Sequence, residues 1–279
     1  MFTNDTLSGH TFLVTGGGTG LGRAMVEAFH AAGASVGILG RRTAPLEQTC
    51  AALGDRCAWA SADVRDPDSI NDAIDAMEAE IGPFTGLVNN AAGNFLVPAE
   101  DISPGAWNSV ISIVLNGTFN CTQALGRRWI DRGDGGRVLN IVTTYAWMGS
   151  AFVLPSACAK SGVLTMTRSL AVEWAEYGIR FNAIAPGPFP TEGAFSRLMP
   201  AHMQEEAKMA VPLRRFGRPE EIGNLATYLM SDMASYVTGE CVTIDGGEWL
   251  LSGQEFGRLT KEPRAMVKSV LGSLKPKKT

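Results

Sequence analysis

The chain predicts a doubly wound α/β domain, and three observations carry that expectation. Seven short apolar runs alternate with amphipathic stretches of helical period, the pattern of parallel strands covered on both faces. A glycine-rich loop joins the first run to the first helical stretch. The 279 residues carry no linker and no internal repeat, and 45% are hydrophobic, enough to fill one core.

Taken in order, Thr11–Val14 reads as a buried strand. It leads into Thr15-Gly16-Gly17-Gly18-Thr19-Gly20-Leu21-Gly22 and then the helical stretch Leu21–Ala32. In that setting glycines let the backbone approach a pyrophosphate, and the helix N-terminus offers free amides and a positive dipole end. Gly16, Thr19, Gly20, Leu21 and Gly22 are therefore candidate nucleotide contacts. The second strand, Ser35–Leu39, ends at Gly40-Arg41-Arg42. An acid here would hold the ribose hydroxyls of NAD. None is present, and the Arg41 guanidinium can pair with the 2′-phosphate of NADP instead; the alternative for these arginines is a plain surface charge. Ala58–Ala60 forms the third strand, followed by Asp63-Val64-Arg65 and the helix Asp68–Ile81. The fourth strand, Gly86–Asn89, runs into Asn90-Ala91-Ala92-Gly93, whose small residues allow close backbone approach. Ser103-Pro104 reads as an N-cap with proline in the first turn and opens the stretch Pro104–Arg132. Then follow strand Val138–Val142, helix Pro155–Tyr177, strand Phe181–Ile184, helix Pro219–Met230 and strand Val242–Ile244. Pro186–Val211, with four prolines, breaks the alternation; a loop this long is usually functional, and residues 187–211 are expected to form a lid.

Charge and composition exclude several classes. A net charge of −4 argues against nucleic acid, and no apolar run is long enough to span a membrane. The three histidines are far apart, and the five cysteines show no metal-ligand spacing, so no metal site is expected. Mostly buried thiols in a reducing compartment are the expected state of the cysteines. With no transit peptide before the first strand and no Ser-Lys-Leu ending, the expected location is cytoplasmic. Residues 1–255 make up the expected domain, and 256–279 a C-terminal tail.

The glycine loop, together with Ser156-Ala157-Cys158-Ala159-Lys160, resembles the short-chain dehydrogenase/reductase family. That resemblance implies a single doubly wound Rossmann domain with a seven-stranded parallel sheet. In the family a tyrosine stands four residues before the lysine, which bonds the nicotinamide ribose. Here Thr143, Ser156 and Lys160 hold the positions of the usual triad, so only the tyrosine is missing. Serine is a poor substitute, because an alkoxide forms far less readily than a phenolate from a phenol of pKa about 10. Tyr145 stands eleven residues before Ser156. This displaced tyrosine, the run Gly149-Ser150-Ala151-Phe152-Val153-Leu154-Pro155-Ser156, Asn94-Phe95 and Gly193-Ala194-Phe195-Ser196-Arg197 resemble one branch, the 2,4-dienoyl-CoA reductases. The resemblance spans about residues 8 to 255.

What this implies is NADPH-dependent reduction of 2,4-dienoyl-CoA thioesters to 3-enoyl-CoA in the β-oxidation of unsaturated fatty acids. Tyr145 and Asn94 would donate to the thioester oxygen. Ser156 would bond an oxygen on the substrate side or a water. Asn116 would hold a relay water or else fix a helix bend. Asp63 would contact adenine. Asn90 would sit at the cofactor in a structural capacity, and Pro186, Gly187 and Phe189 would border the nicotinamide. Arg65, Phe95, Ser103 and Arg197 match positions used for the acyl-CoA, with capping an equal alternative for Ser103. The family habit is a homotetramer built through the helices Pro104–Arg132 and Pro155–Tyr177. Two other functions stay open: a short-chain reductase of ketones or 2-enoyl-CoA, and a catalytically silent NADP-binding protein.

Overall fold

In a computed structural model of the chain, residues 3–191 and 204–273 are described. Seven strands form one sheet in the order β3-β2-β1-β4-β5-β6-β7, with all six neighbouring pairs parallel. They are β1 Thr11–Thr15, β2 Ser35–Gly40, β3 Cys57–Ser61, β4 Gly86–Asn89, β5 Gly136–Ile141, β6 Ile179–Pro186 and β7 Cys241–Ile244. All seven expected strands are present. The strand β6 is longer than expected because Ile179–Ile184 pair with β5 while Ala183–Pro186 pair with β7, the two ladders overlapping at Ala183 and Ile184.

Helices cover both faces. The helices α1 Gly20–Ala31 and α2 Thr43–Leu53 follow β1 and β2, and α3 Pro67–Ile81 follows β3. The core against α1 includes Phe12, Val14, Met25 and Phe29, all fully buried. On the other face Leu13, Ile70, Ile74, Phe84 and Trp129 pack together. The Asp66 side chain caps α3 by accepting from the Asp68 and Ser69 amides. The expected stretch Pro104–Arg132 is divided: α4 Pro104–Ile111, a five-residue π-turn Ser112–Asn116, and α5 Gly117–Arg132. A π-turn inserts an extra residue into the helical ladder, and such bulges are frequent at functional sites. Beyond it the helix passes so close to the exit of β3 that a Cβ on Gly117 would lie 2.5 Å from Val64.

After β5 come the short α6 Tyr145–Met148 and the long α7 Leu154–Glu173. The helix α8 Gln204–Ala210 is followed by α9 Pro219–Met230, then β7, α10 Glu248–Leu251 and α11 Arg264–Ser273. Within the tail expected from residue 256, α11 buries Val267. No helix among the described residues is long and apolar enough to cross a membrane.

The cysteines require a correction. Cys50 on α2 and Cys57 at the start of β3 are joined as a disulfide. Of the free thiols Cys121 is buried, Cys241 is intermediate and Cys158 is exposed. The expectation of mostly buried, unpaired thiols failed because sequence spacing says nothing about the loop that folds β3 back beside α2, where the two Cα atoms lie 5.3 Å apart.

Candidate active site

The strand order reverses between β1 and β4, so their carboxyl ends flank the crevice where ligands bind in open α/β sheets. Asn90 closes that crevice. Its amide donates to the Thr15 carbonyl at 3.0 Å and to the Gly16 carbonyl at 3.3 Å. The Thr15 hydroxyl in turn accepts from the Asn90 and Ala91 amides. Asn90 thus holds the glycine loop against the end of β4.

The loop itself has the shape of an anion cradle. Gly16 and Gly20 have φ of 68° and 57°, the left-handed region that glycine enters without penalty. A Cβ on Gly22 would strike the Gly16 carbonyl. Thr19 is the N-cap of α1 with no side-chain cap, and the first-turn amides that follow, Gly20, Leu21 and Gly22, face the same end. A dinucleotide pyrophosphate fits this space. Thr191, not anticipated from the sequence, lies beside Gly20, 3.5 Å from where a Cβ would stand. The proline-rich segment after Gly187 was the one available hint of it.

Around the adenosine end, Arg41 is exposed just past β2. Asp63 and Arg65 pair with each other, the guanidinium reaching both carboxylate oxygens, at 2.5 Å for the shorter contact. That bond, aided by the charge of Arg41, holds the Asp63 carboxyl below its usual range. These two expected ligands therefore start out engaged with one another.

On the nicotinamide side, Pro186 ends β6 and the Gly187 amide donates to Ile244. Phe189 departs from expectation in its side chain, which is only 6% exposed and packs under Gly217. Only its main chain is left to border a cofactor, because the ring completes the core.

At the reacting end, three expected residues from separate segments meet. The Tyr145 hydroxyl lies 2.9 Å from Ser156 Oγ, and Asn94 Nδ2 donates to the Tyr145 hydroxyl at 3.5 Å. Asn94 is oriented by its own Oδ1, which accepts from the Phe95 amide at 2.9 Å. Tyr145 opens α6, whose Ala146 carbonyl accepts from Ser161 on α7. Ser156 sits on the first turn of α7 and is 2% exposed. Burial raises the Tyr145 pKa, and bonds to Ser156 and Thr143 only partly offset this. The phenol therefore stays protonated at neutral pH and serves as a donor.

Lys160, one turn after Ser156, is 7% exposed and donates to the Ile141 carbonyl. Desolvation lowers its pKa to about 8. Asn116 lies at the end of the π-turn, exposed; its place is consistent with the helix-bend alternative. Ser103 caps α4 by accepting from the Ala106 amide at 3.1 Å, which answers the capping alternative. Phe95 is half-buried against the cluster around Val142 and Val163. Arg197 lies outside the described residues. Among the described residues no group of three or more His, Cys, Asp or Glu could hold a metal.

This fold, glycine cradle and lysine helix define a nicotinamide-dependent oxidoreductase of the short-chain type. The family model described as enoyl-(acyl carrier protein) reductase matches residues 16–248, and the chain belongs to the short-chain dehydrogenase/reductase family. It is 46% identical over 243 residues to a probable (2E)-enoyl-CoA-producing 2,4-dienoyl-CoA reductase of Bacillus subtilis, covering 85% of this chain and 96% of the other. It is 44% identical over 250 residues to a probable (3E)-enoyl-CoA-producing 2,4-dienoyl-CoA reductase of Caenorhabditis elegans, covering 87% and 81%. A crystal structure of a short-chain dehydrogenase from Bacillus anthracis superposes with a TM-score of 0.79 at 45% identity, covering 86% and 96%.

Proposed function

We propose that the chain is an NADPH-dependent 2,4-dienoyl-CoA reductase that yields a 3-enoyl-CoA. The observation that carries this reading is the convergence of Tyr145, Asn94 and Ser156 at a site where the usual tyrosine position is a serine. A nicotinamide held by the glycine loop and Lys160 would supply the hydride for Cδ of the dienoyl group. Electron density then moves along the diene to the thioester oxygen. Tyr145, neutral and half-buried, and Asn94, oriented by the Phe95 amide, supply two donors to that oxygen as charge builds there. A proton taken up at Cα completes the 3-enoyl product. No alcohol is deprotonated, so serine at position 156 is tolerable.

Lys160 would bond the nicotinamide ribose, and Arg41 the 2′-phosphate that distinguishes NADP. Arg65 and Arg197 would meet the phosphates of CoA. A homotetramer through α4–α5 and α7 is supported by Phe119 and Val172, which those helices leave 47% and 80% exposed.

The test compares Tyr145→Phe with Ser156→Ala on one 2,4-dienoyl-CoA. Loss of one donor should lower kcat and kcat/KM alike, by about 10²–10³-fold for Tyr145→Phe, and by less for Ser156→Ala. A larger defect in Ser156→Ala would overturn this mechanism. NMR of the product should place the remaining double bond at C3; a 2-enoyl product would mean that the proton is delivered at Cγ.

A further inference from the structure

We infer that Leu96, Met148, Phe152 and Leu154 form an apolar bay beside the reacting centre that takes the acyl chain beyond the diene and sets chain-length preference. The inference rests on the acyl-CoA reading above, which names no wall for the part of the acyl chain beyond the diene.

Two loops meet here. The Val97 amide donates to the Phe152 carbonyl at 3.0 Å, which joins the segment after Asn94 to the segment between Tyr145 and Ser156. Each loop leaves a large apolar side chain in solvent next to this bond: Leu96 is 58% exposed and Phe152 60%. Between Tyr145 and Phe152 the short α6 adds Met148 at 47%, and Leu154 at the start of α7 adds 42%. Scattered apolar residues on a surface need no explanation, but two on hydrogen-bonded loops and two on the adjoining helix ends, in the segments that carry the reacting groups, form a patch of the kind that marks a binding groove.

Phe152 supplies an independent observation. Its φ is 65°, a left-handed conformation that is a genuine outlier for a bulky side chain. Glycine or asparagine would hold that backbone with less strain. Strain of this kind persists where the surroundings enforce it and clusters at ligand sites. Core packing does not explain the phenylalanine, because its side chain is mostly in water. A ligand chain laid across it does. The edge-to-face pair of Trp147 and Trp249, with centroids 5.5 Å apart, steadies α6 from the C-terminal segment.

The chemistry sets the direction. Hydride arrives at Cδ, so the remaining methylenes leave the site on the side away from the charged CoA. They need a dry wall, and each methylene moved out of water adds to affinity.

The experiment uses the full chain and a Leu96→Ser/Phe152→Asn variant, since asparagine tolerates positive φ. The kcat/KM values for 2,4-decadienoyl-CoA and 2,4-hexadienoyl-CoA are measured, together with the affinities of decanoyl-CoA and butyryl-CoA in the presence of NADP. The wild type should favour the longer chain by roughly tenfold or more. The variant should lose most of that preference, its kcat/KM falling much further on the decadienoyl than on the hexadienoyl substrate. An unchanged ratio in the variant, or a wild type indifferent to chain length, overturns the bay. If the wild type reduces neither substrate but binds decanoyl-CoA more tightly, and the variant does not, the proposed reaction falls and the bay stands. Leu96→Ser alone, on an exposed loop, should show a partial loss; equal melting temperatures and NADPH affinity confirm intact folds.

Discussion

Replacing Lys160 by methionine should stabilise the cofactor-free protein while impairing cofactor binding. Lys160 is 7% exposed and, among the described residues, its ammonium has one acceptor, the Ile141 carbonyl. Burial lowers its pKa from 10.5 to about 8. Holding the proton at pH 7 therefore costs the folded state about 3 kcal/mol relative to the unfolded chain. Methionine keeps the unbranched apolar stem and removes the charge. It also removes the hydrogen bond to Ile141, worth about 1 kcal/mol. The net gain of about 2 kcal/mol should raise Tm by roughly 3–4 °C in a chain of this length. The sign with pH follows from the depressed pKa. The unfolded chain binds the extra proton between about pH 8 and 10.5, so wild-type stability rises with pH across that window. The advantage of the variant is full below about pH 8 and closes as pH approaches 10.5. Thermal melts of both cofactor-free proteins at neutral and alkaline pH measure it, and NADPH titration should show weaker binding by the variant. A variant that melts lower at pH 7, or an advantage that does not shrink with pH, would refute the assignment of Lys160 as a charge held against its own desolvation for a ligand.

Arg41→Ala should raise the Kd for NADPH by about tenfold or more with little change for NADH, as the loss of one charge-assisted phosphate contact predicts; equal binding of both nucleotides by the wild type would refute it. Gly22→Ala sets a methyl against the Gly16 carbonyl, so it should abolish nucleotide binding and lower Tm. Retained NADPH affinity there would show that the loop can shift. Arg197→Ala should raise KM for a CoA thioester more than for a pantetheine thioester, and an identical penalty for both would assign Arg197 to shaping the lid.

Much of the architecture was legible in the chain because its signals are local. Parallel strands buried on both faces must be short apolar runs, and Val14, Ile38, Leu87 and Val88 are each fully buried. The glycine loop announced itself by its place between β1 and α1. Helix α2 was harder to see, because it buries only Leu46, Thr49 and Cys50 and so carries a thin apolar stripe. The disulfide was invisible, since Cys50 and Cys57 acquire their proximity from the turn between α2 and β3.

The active site divides in the same way. That Tyr145, Ser156 and Lys160 belong together could be read from their spacing near one helix start. The sequence alone also settled that the usual tyrosine is absent. Only the tertiary structure decided that Asn94, 51 positions from Tyr145 in the chain, aims its amide at the phenol. It also decided that Ser103 is occupied as a cap, that the Phe189 ring belongs to the core, and that Asp63 and Arg65 begin as a pair. The physical reason is range. Strand and helix patterns are set by neighbours a few residues apart, whereas a donor's target and a side chain's desolvation depend on elements that meet only when the sheet has closed its crevice between β1 and β4.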